Sequence, residues 1–173
     1  MCTEGDIAGY DTRILLLAAL KGFFDKISDE QVTYVNAPQL AKQHGIEVRE
    51  VKVGQSADFV NLLTLRGGGH SLAGTLVGRR SEQRIVMIDE HDFDVPPAEN
   101  MLMVKNDDRP GVIGTVGTLL GNAGVNIADM DVGRAAEPGT AVMLIAPTAM
   151  VSDAVLAELR QAPGITSVIQ LAG

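Results

Sequence analysis

The chain has 173 residues, with 14 Lys and Arg against 22 Asp and Glu, for a formal charge of −8 at neutral pH. A hydrophobic share of 46% with 21% charged residues marks a folded globular chain and excludes a disordered or solvating tail. The acidic balance, 3% aromatic content and lack of Trp argue against nucleic acid and anionic membrane surfaces as partners, since both call for a basic surface.

One cysteine, Cys2, removes disulfide frameworks, thiolate metal clusters and redox pairs from consideration. The longest apolar run, Ile14 to Leu20, falls far short of the roughly 20 residues that span a bilayer. Met1 to Thr12 is mostly polar and carries no secretory pattern, so the expected compartment is the cytoplasm.

In chain order, Cys2 to Ile7 reads as the end of a strand without its beginning, as in a segment taken from inside a larger protein. Asp11 to Ile27 follows as a helix, with Ile14, Leu17, Leu20, Phe24 and Ile27 on its inner face and Lys21 outside. Val32 to Val35 is expected to be extended, and Asn36-Ala37-Pro38 to open a second helix that stops by His44-Gly45. Strands are predicted at Glu47–Val53, Phe59–Arg66, Ser71–Gly78 and Gln83–Ile88, with turns at Gly67-Gly68-Gly69 and Arg79-Arg80-Ser81. The acidic run Asp89 to Asp94 reads as a turn. It lacks the glycine and distal glutamate of a calcium loop, and one histidine makes no zinc site. Pro96-Pro97 then stiffens an extended connector that divides residues 1–97, an α+β unit, from residues 98–173.

The second unit is more regular. Met101 to Val104 suits a buried strand, and Asp107-Asp108-Arg109-Pro110-Gly111 offers acidic caps before a proline fit for a first helical turn. Val112, Ile113, Val116, Leu119, Leu120 and Ala123 recur at helical spacing, with Gly124 placed as a left-handed cap. Val125–Arg134 and Thr140–Pro147 read as strands around a turn at Glu137-Pro138-Gly139. Ser152 can cap a helix bearing Val155, Leu156 and Leu159, ended by Pro163-Gly164 before a last strand, Ile165–Leu171. The order βαββαβ is that of a ferredoxin-like split unit. Within its second strand, Val125 and Ile127 keep one alternation phase while Ala128, Met130 and Val132 keep the other. Such a slip calls for a bulge or for burial on both faces.

Chemistry concentrates at the first strand–helix turn of this unit. Asn106, Asp107 and Asp108 supply amide and carboxylate groups, and a helix start near Pro110-Gly111 adds unpaired N–H groups. An α-amino acid calls for that pairing, an acceptor for its ammonium and donors for its carboxylate. Asn126, at the start of the next strand, is expected to approach the same edge. The same residues also serve as a cap and a turn, so the spacing leaves both roles open. Gly114, Gly117 and Gly121 stud one side of the helix, a stripe that permits close approach of the sheet, another chain or a ligand. A basic group, Arg79, Arg80 and Arg84, with Arg66 on an earlier strand, suits a phosphate or carboxylate, or else a solvated turn. His44, His70 and His91 fall in predicted turns with no nucleophile elbow beside them, and neither Gly-x-Gly-x-x-Gly nor a phosphate loop occurs. No catalytic residues and no metal ligands are expected in this chain.

Asn106-Asp107-Asp108-Arg109-Pro110-Gly111-Val112-Ile113-Gly114 and Gly124-Val125-Asn126-Ile127-Ala128 resemble the effector-binding signature of an ACT domain. Leu20-Lys21-Gly22-Phe23-Phe24, Val35-Asn36-Ala37-Pro38 and Ser71-Leu72-Ala73-Gly74-Thr75-Leu76 resemble the intervening, allosteric-substrate-binding domain of long-form D-3-phosphoglycerate dehydrogenases. That resemblance covers nearly the whole chain, in the right order. It implies a C-terminal regulatory part of a serine-biosynthetic enzyme that oxidises 3-phosphoglycerate with NAD, the cofactor residing outside these residues. L-serine would contact Asn106, Asp108, Arg109 and Asn126 with its neighbour Ile127, together with backbone from the turn through Pro110, Gly111, Val112 and Ile113. ACT domains of this kind pair, so a homo-oligomer through both domains is implied, with phosphate or 3-phosphoglycerate near Arg79, Arg80 and Arg84. Two other readings are an oligomerisation scaffold with a vestigial site and the corresponding part of an iron–sulfur L-serine dehydratase.

Overall fold

A computed structural model describes residues 1–134 and 139–172. The chain divides into two compact units, Met1–Leu76 and Val77–Gly173. In the first, strands β1 (Cys2–Gly5), β2 (Val51–Val53), β3 (Asn61–Gly67) and β4 (His70–Val77) lie in the order β2-β1-β3-β4. The β1–β2 pair is parallel and the others antiparallel. At Gly5 the backbone of Val60 passes so close that a Cβ would sit 2.0 Å from the Val60 carbonyl oxygen, and φ there is +89°. Only glycine fits that crossing.

Helices α1 (Arg13–Asp25) and α2 (Ala37–Gln43) share a small core of Phe24, Val32, Ala37, Leu40 and Ala41, with Leu20 packed against it. The inner face expected for α1 is therefore narrower than its apolar spacing suggests. Phe24 is buried, whereas Ile14 and Ile27 are exposed. Val32 to Val35 is not extended either. The amide of Thr33 donates to Asn36 Oδ1 at 2.7 Å and the amide of Asn36 donates to Thr33 Oγ1 at 3.2 Å. That exchange folds the stretch into a turn leading to α2, an alternative that short polar side chains offer the backbone.

The second unit holds a hairpin, β5 (Glu82–Ile88) and β6 (His91–Val95), and a four-stranded antiparallel sheet. That sheet comprises β7 (Asn100–Asn106), β8 (Ile127–Arg134), β9 (Ala141–Pro147) and β10 (Ile165–Ala172), ordered β10-β7-β9-β8. With α3 (Val112–Asn122) and α4 (Asp153–Gln161) between strands, this is the expected βαββαβ unit. The turn expected at Glu137-Pro138 falls outside the described residues. Asp89-Glu90 is a turn as read, but His91 to Val95 is a strand: Phe93 and Val95 point inward while Asp92 and Asp94 point to solvent. The charged alternates conceal a period of two.

One core joins Leu102 and Val104 of β7 and Met143 and Ile145 of β9 to the inner faces of both helices. The opposite side of the same strands, Met101, Met103, Val142 and Leu144, packs against Phe93 and Val95 of the hairpin. All seven residues of β9 are consequently buried. Its unbroken apolar sequence reflects a strand covered on both sides.

Local devices complete the helix ends. Past α3, the Gly124 amide donates to the Gly121 carbonyl and the Val125 amide to the Leu120 carbonyl, with Gly124 at φ +73°. This is the six-to-one closure that a left-handed glycine permits. At the other end no acidic side chain caps α3. The cap position is Gly111 at φ +94°, and Pro110 lies before the helix instead of in its first turn. Ser152 occupies the cap position of α4, again without a side-chain bond. The bulge in β8 is present: Ile127 pairs with Pro147 and Asp129 with Ala146, leaving Ala128 as the additional residue.

Candidate effector site

The β7–α3 turn is built by its own side chains. Asn106 is buried; its Oδ1 accepts the Asp108 amide at 3.0 Å, and its Nδ2 donates to the Ala141 carbonyl at 3.1 Å. One amide thus closes the turn and ties it to the start of β9. Asp108 takes up a left-handed conformation at φ 49°, which Asp tolerates better than most residues, and is exposed. Arg109 pairs with Asp107, through both Nε and Nη2, and not with Asp108. That hydrogen bond holds the Asp107 carboxyl below the usual carboxylate range and raises the Arg109 guanidinium further.

Asp107 also joins two turns. Its amide donates to the Gly164 carbonyl at 2.9 Å, and its Oδ1 is buried against Gly164, where a Cβ would stand 2.7 Å away. The Asp107–Arg109 pair and this seat under Gly164 escape a reading by spacing, since Gly164 arrives from the far end of the domain. The signal that remains in sequence is an acid and a base two residues apart just before a proline.

No side chain caps the first N–H groups of α3, and the Val112 amide donates to the Arg109 carbonyl at 3.4 Å. Val112 is buried in the helix-side core, whereas Ile113 is half exposed. Gly114, Gly117 and Gly121 have open space where a Cβ would be. The glycine stripe therefore faces away from the chain's own sheet.

Asn126 does not approach this turn within one chain. Asn106 pairs with Ala141 at the start of β9, whereas the Asn126 carbonyl accepts the Thr148 amide just past its end. The strand neighbouring β7 on that side is β9, not β8. Asp108 and Asn126 thus lie at opposite ends of α3, whose eleven residues span roughly 16 Å. Asn126 is exposed, and Ile127 beside it packs on the core.

Of the basic group, Arg79 and Arg80 sit in the exposed turn between β4 and β5. Arg84 is engaged by two carboxylates, Nη2 to Glu82 at 3.1 Å and Nε to Asp94 at 3.1 Å. Arg66 belongs to the first unit. The turn into α3 has no dinucleotide pattern and the four-stranded sheet is wholly antiparallel, so these residues do not fit NAD. Among the described residues no group of three or more His, Cys, Asp or Glu converges as metal ligands would, and no helix is long and apolar enough to cross a membrane.

Residues 1–89 match the D-3-phosphoglycerate dehydrogenase intervening domain, and residues 100–164 match the ACT domain. Proteins named D-3-phosphoglycerate dehydrogenase are similar over most of the chain. The one from Synechocystis is 39% identical over 170 residues, covering 95% of this chain and 30% of that protein. The one from Bacillus subtilis is 32% identical over 168 residues, covering 95% of this chain and 32% of that protein. The chain thus spans about 30% of the length of such relatives. Among solved structures, the ACT domain from GTP pyrophosphokinase of Chlorobium tepidum is similar at 16% identity and a TM-score of 0.35, covering 42% of this chain and 95% of that one. With an intervening domain across its first half and an ACT domain after it, this chain belongs to the D-3-phosphoglycerate dehydrogenase family, in that family's non-catalytic regulatory part.

Proposed function

We propose that this chain is the serine-sensing part of a 3-phosphoglycerate dehydrogenase, and that its effector site is completed by a second copy. The observation that carries the reading is the division of polar groups between the two ends of α3. Asp108 and the uncapped helix start lie at one end and Asn126 at the other. Each of the two residues is nine positions from Gly117. A two-fold axis beside Gly117, with two α3 helices antiparallel, sets Asp108 of one chain near Asn126 of its partner. The open glycine face lets the two backbones come close.

In that arrangement L-serine is held by groups of matching chemistry. The Asp108 carboxylate accepts from the ammonium, the first N–H groups of α3 donate to the carboxylate, and the Asn126 amide meets the hydroxyl. Asn106 shapes the turn from beneath. Arg109, neutralised by Asp107, is kept from competing for Asp108. Serine acts as an inhibitor by binding one arrangement of the pair more tightly than another, since equal affinity shifts nothing. Oxidation of 3-phosphoglycerate with NAD belongs to the remaining length of such a protein, in the cytoplasm. Phosphate or 3-phosphoglycerate at Arg79 and Arg80 is a weaker reading, because Arg84 is already paired.

Calorimetric titration with L-serine, with D-serine and glycine as controls, tests this. Saturable and stereoselective heat is expected. Asn126→Ala should weaken binding by up to about tenfold, as for one lost neutral hydrogen bond. No heat and no thermal shift would leave oligomerisation as the role of the domain.

A further inference from the structure

We infer that the β5–β6 hairpin, whose strands are not members of the four-stranded ACT sheet, is an obligatory cover of that sheet, so that the cooperative regulatory body begins near Glu82 and not near Asn100. The inference stands on packing alone and holds whether or not serine binds. The family matches divide the chain between residues 89 and 100, which leaves the first strand of this hairpin with the preceding domain. The contacts divide it otherwise, between Leu76 and Val77.

Three observations lead there. First, Phe93 and Val95 form one core with Met101, Met103, Val142 and Leu144, and Val95 is fully buried. Stripped of the hairpin, β7 and β9 would turn an apolar face to water, a patch that folded chains seldom leave uncovered. Second, the cover is fitted closely. At Gly133 of β8 a Cβ would stand 2.7 Å from the Asp92 carbonyl oxygen and 2.8 Å from the Phe93 ring. Third, the edge is tied by polar contacts. The Asp94 amide donates to Asp131 Oδ2 at 2.7 Å, and the Asp94 carboxylate receives Arg84 of β5.

Asp131 follows Asn126 and the Ala128 bulge on the same strand, so the hairpin is bonded to the strand that begins at the candidate site. A covered face also removes one mode of assembly. A second copy cannot stack on that side of the sheet without displacing Phe93. Pairing is left to the helices and the sheet edges.

Hydrogen exchange on the whole 173-residue chain tests the inference. If the hairpin belongs to the sheet's cooperative unit, the hydrogen-bonded amides of β6 exchange within about tenfold of those in β7 and β9, opening with them. Phe93→Ala should then speed exchange through β7, β8 and β9 by about tenfold or more while β1 and β3 are unchanged. Hairpin amides exchanging more than about tenfold faster than β7 and β9 in the unaltered chain would overturn it. So would a Phe93→Ala effect confined to residues 82–95. If that variant does not fold, the comparison within the unaltered chain decides.

Discussion

The two sheets of this chain bury their residues to different degrees. In the second unit, β9 is covered on one side by two helices and on the other by a hairpin, and every residue of it is inside. In the first unit, Leu76 remains 59% exposed and Val51 52%, while the most buried positions of β1 and β3 are threonines. The hydroxyls of Thr3 and Thr64 have no hydrogen-bond partner among the described residues. Helix α1 is apolar over most of its surface, yet only Phe24 is buried. A helix with so broad an apolar surface normally sits inside a larger body. The contrast is between β9, covered on both sides, and strands of the first sheet that keep Leu76 and Val51 in solvent.

The largest difference between the two units is expected in their cores. Leu144→Ala should destabilise the second unit by about 2–5 kcal/mol, because it removes a side chain with no exposed surface. Leu76→Ala in the first should change stability by less than about 0.5 kcal/mol. Urea unfolding followed by far-ultraviolet circular dichroism compares the two variants, and equal effects would erase the distinction.

A smaller effect separates the glycines. Gly133→Ala should cost about 1–3 kcal/mol, since its Cβ meets Phe93 and the Asp92 carbonyl. Gly114→Ala meets nothing and should stabilise the helix by roughly 0.5–1 kcal/mol, while weakening the proposed α3 pairing. Melting temperature and sedimentation velocity on both variants read the two effects apart.

In the first sheet, Thr64→Val removes a buried hydroxyl that has no partner among the described residues. It should raise stability by up to about 1 kcal/mol, and a loss would mean that the hydroxyl has a partner in solution. The smallest effect is electrostatic. The Asp11 carboxyl is held down to about 2, chiefly by the hydrogen bond from the Arg13 side chain and then by the Arg13 amide. A depressed carboxylate contributes stability that is present above its unfolded value and lost as pH falls through the folded one, here between about 4 and 2. The pair is exposed, so stability near neutrality should barely move in Arg13→Ala. A carboxyl titration followed by NMR should show the Asp11 midpoint rise toward 3.8 in that variant.

Much of the second unit is legible in sequence because its signals are local. The helical spacing of Val112, Val116 and Leu120, the cap at Gly124 and the phase slip around Ala128 each depend on a few consecutive residues. What escapes depends on partners far along the chain. Asn126 looks adjacent to the β7–α3 turn because the strands follow one another, but β9 inserts between β7 and β8. Strand β6 hides behind Asp92 and Asp94, whose charge outweighs the alternation of Phe93 and Val95. The glycine stripe suits the sheet, another chain or a ligand by spacing, and the first is removed because Val112, Val116 and Leu120 already fill the inner face while the glycines lie open.

A serine site shared between two copies can be rebuilt by mixing variants that each lack one half of it. Asp108→Asn and Asn126→Ala should each bind L-serine weakly as pure proteins. After the two are mixed and allowed to exchange subunits, one site in each mixed pair regains both groups, so tight stereoselective binding should reappear in calorimetry. If the mixture binds no better than its components although subunits have exchanged, the site is not shared between chains and the account is wrong.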